Sequence, residues 1–133
     1  MTKQQRKTIE SEFYRYEWNK KHADNYAVAT VAYNSSDHDG ERFKASKGNT
    51  MEQLVIRSIY DQERIRSWVT VFDMTIEKFK WEQKDELMQK RYIERKGIWR
   101  TCDEIGISRA TYFYWLDEIL RVAFMWAKEL KVI

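Results

Sequence analysis

The 133 residues contain no proline. At ordinary usage of about 5%, roughly six or seven would occur. Proline breaks helices, so its absence favours long uninterrupted ones. Glycine is also scarce, with four in the chain, while Lys, Glu, Arg and Gln are abundant. This composition predicts an all-α chain. A single cysteine excludes an internal disulfide and any paired-thiol zinc site, which fits a reducing compartment. Only two histidines occur, and there is no Gly-rich phosphate loop. His22 stands beside Lys20 and Lys21, and His38 lies in a polar stretch, so no nucleophile–base–orienter set can be built. An enzyme is therefore not expected, and neither a cofactor nor a metal is called for. No apolar run approaches the ~20 residues that cross a bilayer. Residues 1–20 are polar and charged rather than signal-like. The expectation is a protein of the cytoplasm with no membrane partner.

What is present is aromatic and mildly basic. Aromatics reach 15% and the net charge is +3. Residues 1–22 carry six Lys or Arg against three Glu, and residues 90–109 carry six against three acids. The stretch 50–83 is near neutral. Two basic zones joined by a neutral connector suit a protein that touches phosphate.

Along the chain, residues 1–33 form an N-terminal helical segment, with Ile9, Phe13 and Tyr16 on one side. Within it, residues 23–33 suit strand or helix. Helix is favoured because no partner strand exists. Residues 34–49 are a flexible linker rich in Ser, Asn, Asp and Gly. Asp37-His38-Asp39 lies there without further ligands and is read as ordinary loop. Residues 50–83 centre on a long helix from Thr50 to about Lys80. Thr50 and Gln53 form its capping box. Its seam is Met51, Val55, Ser58, Gln62, Ile65, Val69, Phe72, Ile76 and Phe79, a 3.5-residue period interrupted at Ser58 and Gln62. That seam packs either against the N-terminal helix, as a hairpin, or against a second subunit, as a homodimer.

Residues 84–133 hold the specific signal. A helix over 84–96 places Leu87, Met88, Tyr92 and Ile93 inward, crowds Lys90, Arg91, Arg95 and Lys96 at its end, and stops at Gly97. A short helix over 98–105 follows, with Cys102 as its small packing residue and Ile105 closing its apolar face. Gly106 supplies a positive φ, Ile107 plugs the gap between helices, and Ser108 caps the last helix. That helix runs to about Leu130. Tyr112 and Trp115 fall inward, followed by Ile119, Leu120, Ala123, Ala127 and Leu130. Its Phe124, Met125 and Trp126 predict further packing, on the long helix or a partner. This is the spacing of a helix-turn-helix, whose second helix reads base edges with its N-terminal residues. Arg109, Ala110, Thr111, Phe113 and Tyr114 are left outward. Arg109 is the candidate for a guanine contact. Arg100 and Thr101 are assigned to phosphates, extended by Lys90, Arg91, Arg95 and Lys96. The acidic pairs Asp103-Glu104 and Asp117-Glu118 read as solvated surface, with Asp117 or Glu118 open to a polymerase contact.

These pieces resemble region 4 of bacterial sigma factors, in which the Gly106-Ile107-Ser108-Arg109 stretch would begin the helix that reads the −35 promoter element. With Ile9-Glu-Ser-Glu-Phe-Tyr-Arg-Tyr16, the polar linker and the capped helix from Thr50, the layout resembles phage late-gene transcriptional activators of the RinA and ArpU type. The resemblance implies binding to double-stranded DNA upstream of phage morphogenesis and packaging genes, and activation with host RNA polymerase. Region 4 usually carries charged or amide side chains where this chain has Phe113 and Tyr114. Two aromatics cannot make bidentate base contacts; they can touch thymine methyls, pack on sugars or be buried. Two other functions fit the same pattern: a phage small terminase subunit that marks DNA for packaging, and a helical adaptor that binds protein and no DNA.

Overall fold

The computed structural model describes residues 1–23 and 51–133, with side chains from residue 58 onward in the second stretch. The expected linker, the capping box at Thr50 and the 24–33 segment lie outside the described residues. All regular structure among the described residues is helical. The order is α1 (Lys3–Tyr14), α2 (Tyr16–Ala23), α3 (Met51–Lys78), α4 (Lys84–Met88) continued by a π-helical turn (Gln89–Ile93), α5 (Ile98–Ile105) and α6 (Arg109–Glu129).

The N-terminal segment begins with a reciprocal cap. The Thr2 hydroxyl accepts from the Gln5 N–H at 3.0 Å, and the Thr2 N–H donates to Gln5 Oε1 at 2.8 Å. The segment is interrupted at Arg15, whose N–H reaches the carbonyls of Ser11 and Glu12. Beyond the break, Tyr16 stacks on Phe72 of α3 with ring centroids 4.0 Å apart, and its hydroxyl donates to Asp73. Burial, and then the nearby Asp73 carboxylate, push the Tyr16 phenol above its ordinary range.

α3 packs along α2 and also along α6, and its buried side chains from residue 58 onward lie within the chain. Two sets of neighbours widen the buried face beyond a single seam. Phe72 and Phe79 are buried as the 3.5-residue period predicts, but so are Trp68, Val71 and Thr75, which that period leaves outside. One interruption in the seam has a polar role. Gln62 donates its amide to the carbonyl of Ala23 at 3.0 Å, satisfying an acceptor at the end of α2.

The helix expected over 84–96 is shorter and changes character. Its π turn is closed by the Glu94 N–H on the Gln89 carbonyl, and the Lys96 N–H reaches back to Lys90. The left-handed residue after it is Arg95, at φ +55°, not Gly97. Gly97 has φ −68° and begins α5 instead. The expected ending at Gly97 is thus corrected by three residues, because the wider turn uses up the chain earlier. Leu87, Met88 and Tyr92 are buried as expected.

α6 buries Tyr112, Leu116, Ile119, Leu120, Ala123 and Ala127, a stripe at helical spacing. Leu116 takes the inward place assigned to Trp115, which is half-buried. The stripe joins Ile9 and Phe13 of α1, the α3 aromatics and the α4–α5 residues in one core. Each large side chain buried in it contributes about 1.5–3 kcal/mol against exposure.

Candidate nucleic-acid interface

The last two helices meet across a three-residue turn built as its residue types require. α5 turns Thr101, Cys102 and Ile105 into the core. Gly106 takes φ +81°, and its N–H donates to the Cys102 carbonyl at 2.8 Å. That conformation costs an L-residue roughly 1–2 kcal/mol, which glycine escapes. Ile107 sits half-buried against the core. Ser108 is extended, and its hydroxyl oxygen accepts from the Thr111 N–H at 3.1 Å, so the first turn of α6 is capped. The Ser108 hydroxyl also donates to the Thr111 hydroxyl at 3.0 Å. Both side chains are therefore committed to the turn. The Cys102 thiol is pushed up by burial and by Asp103. It stays protonated and serves as the small packing residue between the helices.

Beyond the turn, the first two turns of α6 divide sharply. Tyr112 and Leu116 are buried, while Arg109, Ala110, Phe113 and Tyr114 are exposed. Tyr114 keeps 67% of its surface open and Phe113 40%. From α5, Trp99 and Arg100 stand on the same side of the turn as exposed residues. The guanidinium of Arg109 lies 5.1 Å from the Trp99 ring centroid and 5.8 Å from that of Phe113. No carboxylate pairs with Arg109 among the described residues.

The basic zone is more compensated than its composition suggests. Glu104 gathers three cations: Lys96 at 2.8 Å from both oxygens, Lys90 at 3.4 Å and Arg100 at 3.9 Å. The hydrogen bond from Lys96 is the main reason its carboxyl lies below the usual range. Lys96 also pairs with Glu94 at 3.1 Å. Lys90 and Lys96 are thus tied to acids and do not form the outward phosphate-facing row expected of them. Thr101 is fully buried on the core face of α5, because 98, 101, 102 and 105 share that face, so it cannot reach phosphate. Arg91 is turned inward as well. Arg95 is exposed and donates to the Tyr14 carbonyl at 2.9 Å, a contact that leaves its charge uncompensated. The cations that face outward around the turn are Arg95, Arg100 and Arg109.

Behind this surface lies a polar clamp that joins α1 to the base of α6. Arg91 donates to both Glu10 oxygens at 3.1 and 3.2 Å and to the Tyr112 hydroxyl at 2.6 Å. Tyr92, on the same π turn, donates to Glu10 at 3.0 Å. Widening of the turn presents two adjacent side chains to one carboxylate. The Tyr92 phenol is pushed well up by burial, with Glu10 adding to it. The acidic pair 117–118 is engaged rather than free: Asp117 takes Arg6 at 2.6 Å and Glu118 takes Lys84 at 3.0 Å. Of the surface residues, Trp99 escaped the sequence reading. Its signal was an indole at an outward position beside the inward positions 98, 101, 102 and 105.

Residues 49–123 match a protein family described as a protein of unknown function, DUF1492. The chain belongs to this family. The match spans α3, α4, α5, the turn and most of the inward stripe of α6, and leaves out α1 and α2. No curated protein and no solved structure matches the chain. Among the described residues, no group of His, Cys, Asp and Glu is assembled that would hold a metal ion, and no helix is long and apolar enough to cross a membrane.

Proposed function

We propose that this chain is a sequence-specific binder of double-stranded DNA, with the N-terminal end of α6 entering the major groove. The observation that carries the reading is the unpaired Arg109 at the exposed start of a capped helix, behind a glycine turn and flanked by exposed Ala110, Phe113 and Tyr114. Folding does not require these side chains outside the core, and a recognition helix does. Arg109 would read guanine O6 and N7 through its fork of donors. Arg100 and Arg95 would meet phosphates and make the affinity fall with salt. On the resemblance to RinA and ArpU activators, the protein is assigned to transcriptional activation of phage late genes with host RNA polymerase, in the cytoplasm of the bacterial cell.

Selection of bound duplexes from a random pool, followed by footprinting, tests the proposal. A defined site whose recovery needs Arg109 is expected. Absence of binding to any duplex at low salt would overturn the DNA assignment. It would favour the second reading, a protein-binding adaptor, for which the open rings of Trp99 and Tyr114 provide the apolar surface.

A further inference from the structure

We infer that Trp99 and Phe113 are positioning residues for Arg109, holding its guanidinium between two rings so that its donor edge is presented outward. The inference rests on the reading of α6 as the helix that enters DNA. Three observations on different elements converge. Trp99 is 68% exposed on α5, so its indole is not placed there by the core. Phe113 projects from α6 one turn after Arg109 and is 40% exposed. The Arg109 guanidinium lies within 6 Å of both ring centroids.

The chemistry of the guanidinium makes this arrangement useful. Its face is weakly hydrated and stacks on aromatic rings, while its N–H donors lie in the plane at its edge. A ring stacked on that face leaves the edge free for a bidentate acceptor. A long exposed arginine otherwise samples many rotamers and loses that freedom on binding. Two flanking rings restrict it beforehand, which is a gain in affinity through preorganisation. The aromatic at 113 is thereby accounted for without base contacts of its own. Lysine at 109 would keep the attraction to the rings and lose the planar fork.

The test is a double-mutant cycle in duplex binding, using the full chain, the duplex recovered by selection and a random duplex of equal length. Trp99→Ala is expected to lower the preference for the selected duplex by about threefold to tenfold. Its binding to the random duplex should fall less than its binding to the selected duplex, since no charge is removed. Trp99→Phe should restore most of the preference. In an Arg109→Ala background, Trp99→Ala should have no further effect. Nitrogen-edited NMR of the free protein adds a readout independent of DNA: the Arg109 Nε–H signal, shifted upfield by the rings, should move downfield in Trp99→Ala. Equal losses from Trp99→Ala with and without Arg109 would overturn the inference while leaving the DNA reading intact. So would an unmoved Arg109 signal. A wild-type chain that binds no duplex at low salt would overturn the DNA reading itself, and this inference with it.

Discussion

Among the described residues, Arg91 and Arg109 each lie close to more than one aromatic ring, and they do opposite things. Arg91 lies within 6 Å of the rings of Tyr14, Tyr92 and Tyr112. Arg109 lies within the same distance of Trp99 and Phe113. The difference is the counter-charge and the burial. Arg91 has only 16% of its side chain exposed and chelates Glu10. Its two terminal nitrogens are spent on joining α1, the π turn and α6. Arg109 has open rings and no carboxylate partner among the described residues, so its donors remain available. The comparison separates a cation that holds a fold together from one that is exposed at the start of α6.

Removing Arg91 gives the largest effect. Arg91→Ala leaves Glu10 partly buried without its ion pair and takes a donor from Tyr112. Breaking such a pair costs about 3–5 kcal/mol when burial is complete. The residual exposure of both partners places the expectation near the lower end, about 3 kcal/mol in urea unfolding. Arg109→Ala reverses the pattern. Stability should change by less than about 0.5 kcal/mol, as at other exposed sites. Binding to the selected duplex should weaken by about 1–3 kcal/mol, with loss of preference at one base pair. Titration by fluorescence anisotropy alongside unfolding curves measures both. Equal stability losses for the two variants would erase the distinction.

Ser108→Ala lies between these cases, because it touches the scaffold of the outward site. It removes the acceptor for the Thr111 N–H and should cost about 1 kcal/mol in stability. It frays the turn that carries Arg109, so duplex binding should fall as well. A loss in stability with binding unchanged would mean that the first turn of α6 is not the part that meets DNA.

Much of this arrangement was legible in the chain. The absence of proline and the spacing of apolar residues identified the helices, and Gly106 and Ser108 marked the turn by their own conformational chemistry. The outward set Arg109, Ala110, Thr111, Phe113 and Tyr114 follows from that turn, except that Thr111 is half-buried and bonded to Ser108. Charge was legible only as composition. Lys90 and Lys96 counted as basic surface, yet Glu104 lies eight residues past Lys96, and only the bend between the π turn and α5 brings them together. Arg91 meets Glu10 across 81 residues, a pairing that no local period contains. The single-seam reading of α3 failed for a related reason, since one helix packed by both α2 and α6 needs a wider apolar face than one partner demands. Thr101 is polar by type, but its place on the 98, 101, 102 and 105 face of α5 puts it in the core.

The alkaline limb of stability sharpens the comparison on the Arg91 side. Burial raises the phenols of Tyr92 and Tyr112 within the folded chain. Unfolding releases them to an ordinary value near 10. Above that pH the unfolded chain binds fewer protons than the folded one, so stability declines as pH rises; below it, the contribution is complete. Alkaline unfolding is expected to set in above about pH 10, and Tyr92→Phe should make the decline less steep after the loss of its hydrogen bond to Glu10 is subtracted.

The smallest effect concerns the balance of charge beside Arg109. Glu104 is ionised at neutral pH, since its carboxyl is lowered chiefly by the Lys96 hydrogen bond. Glu104→Gln would release Lys96, Lys90 and Arg100 from a shared acid and raise the positive charge near the turn by one. Affinity for random duplex should rise modestly, and the slope of log affinity against log salt should steepen by about one unit, while preference among sequences stays the same. Acidification through the Glu104 titration acts in the same direction: a lowered carboxyl loses its pairing energy as pH falls, so these ties loosen on the acid side. Salt titrations on the variant and the wild type decide the point. An unchanged slope would place Lys90, Lys96 and Arg100 away from the phosphates, leaving Arg109 and Arg95 to carry the electrostatic contact alone.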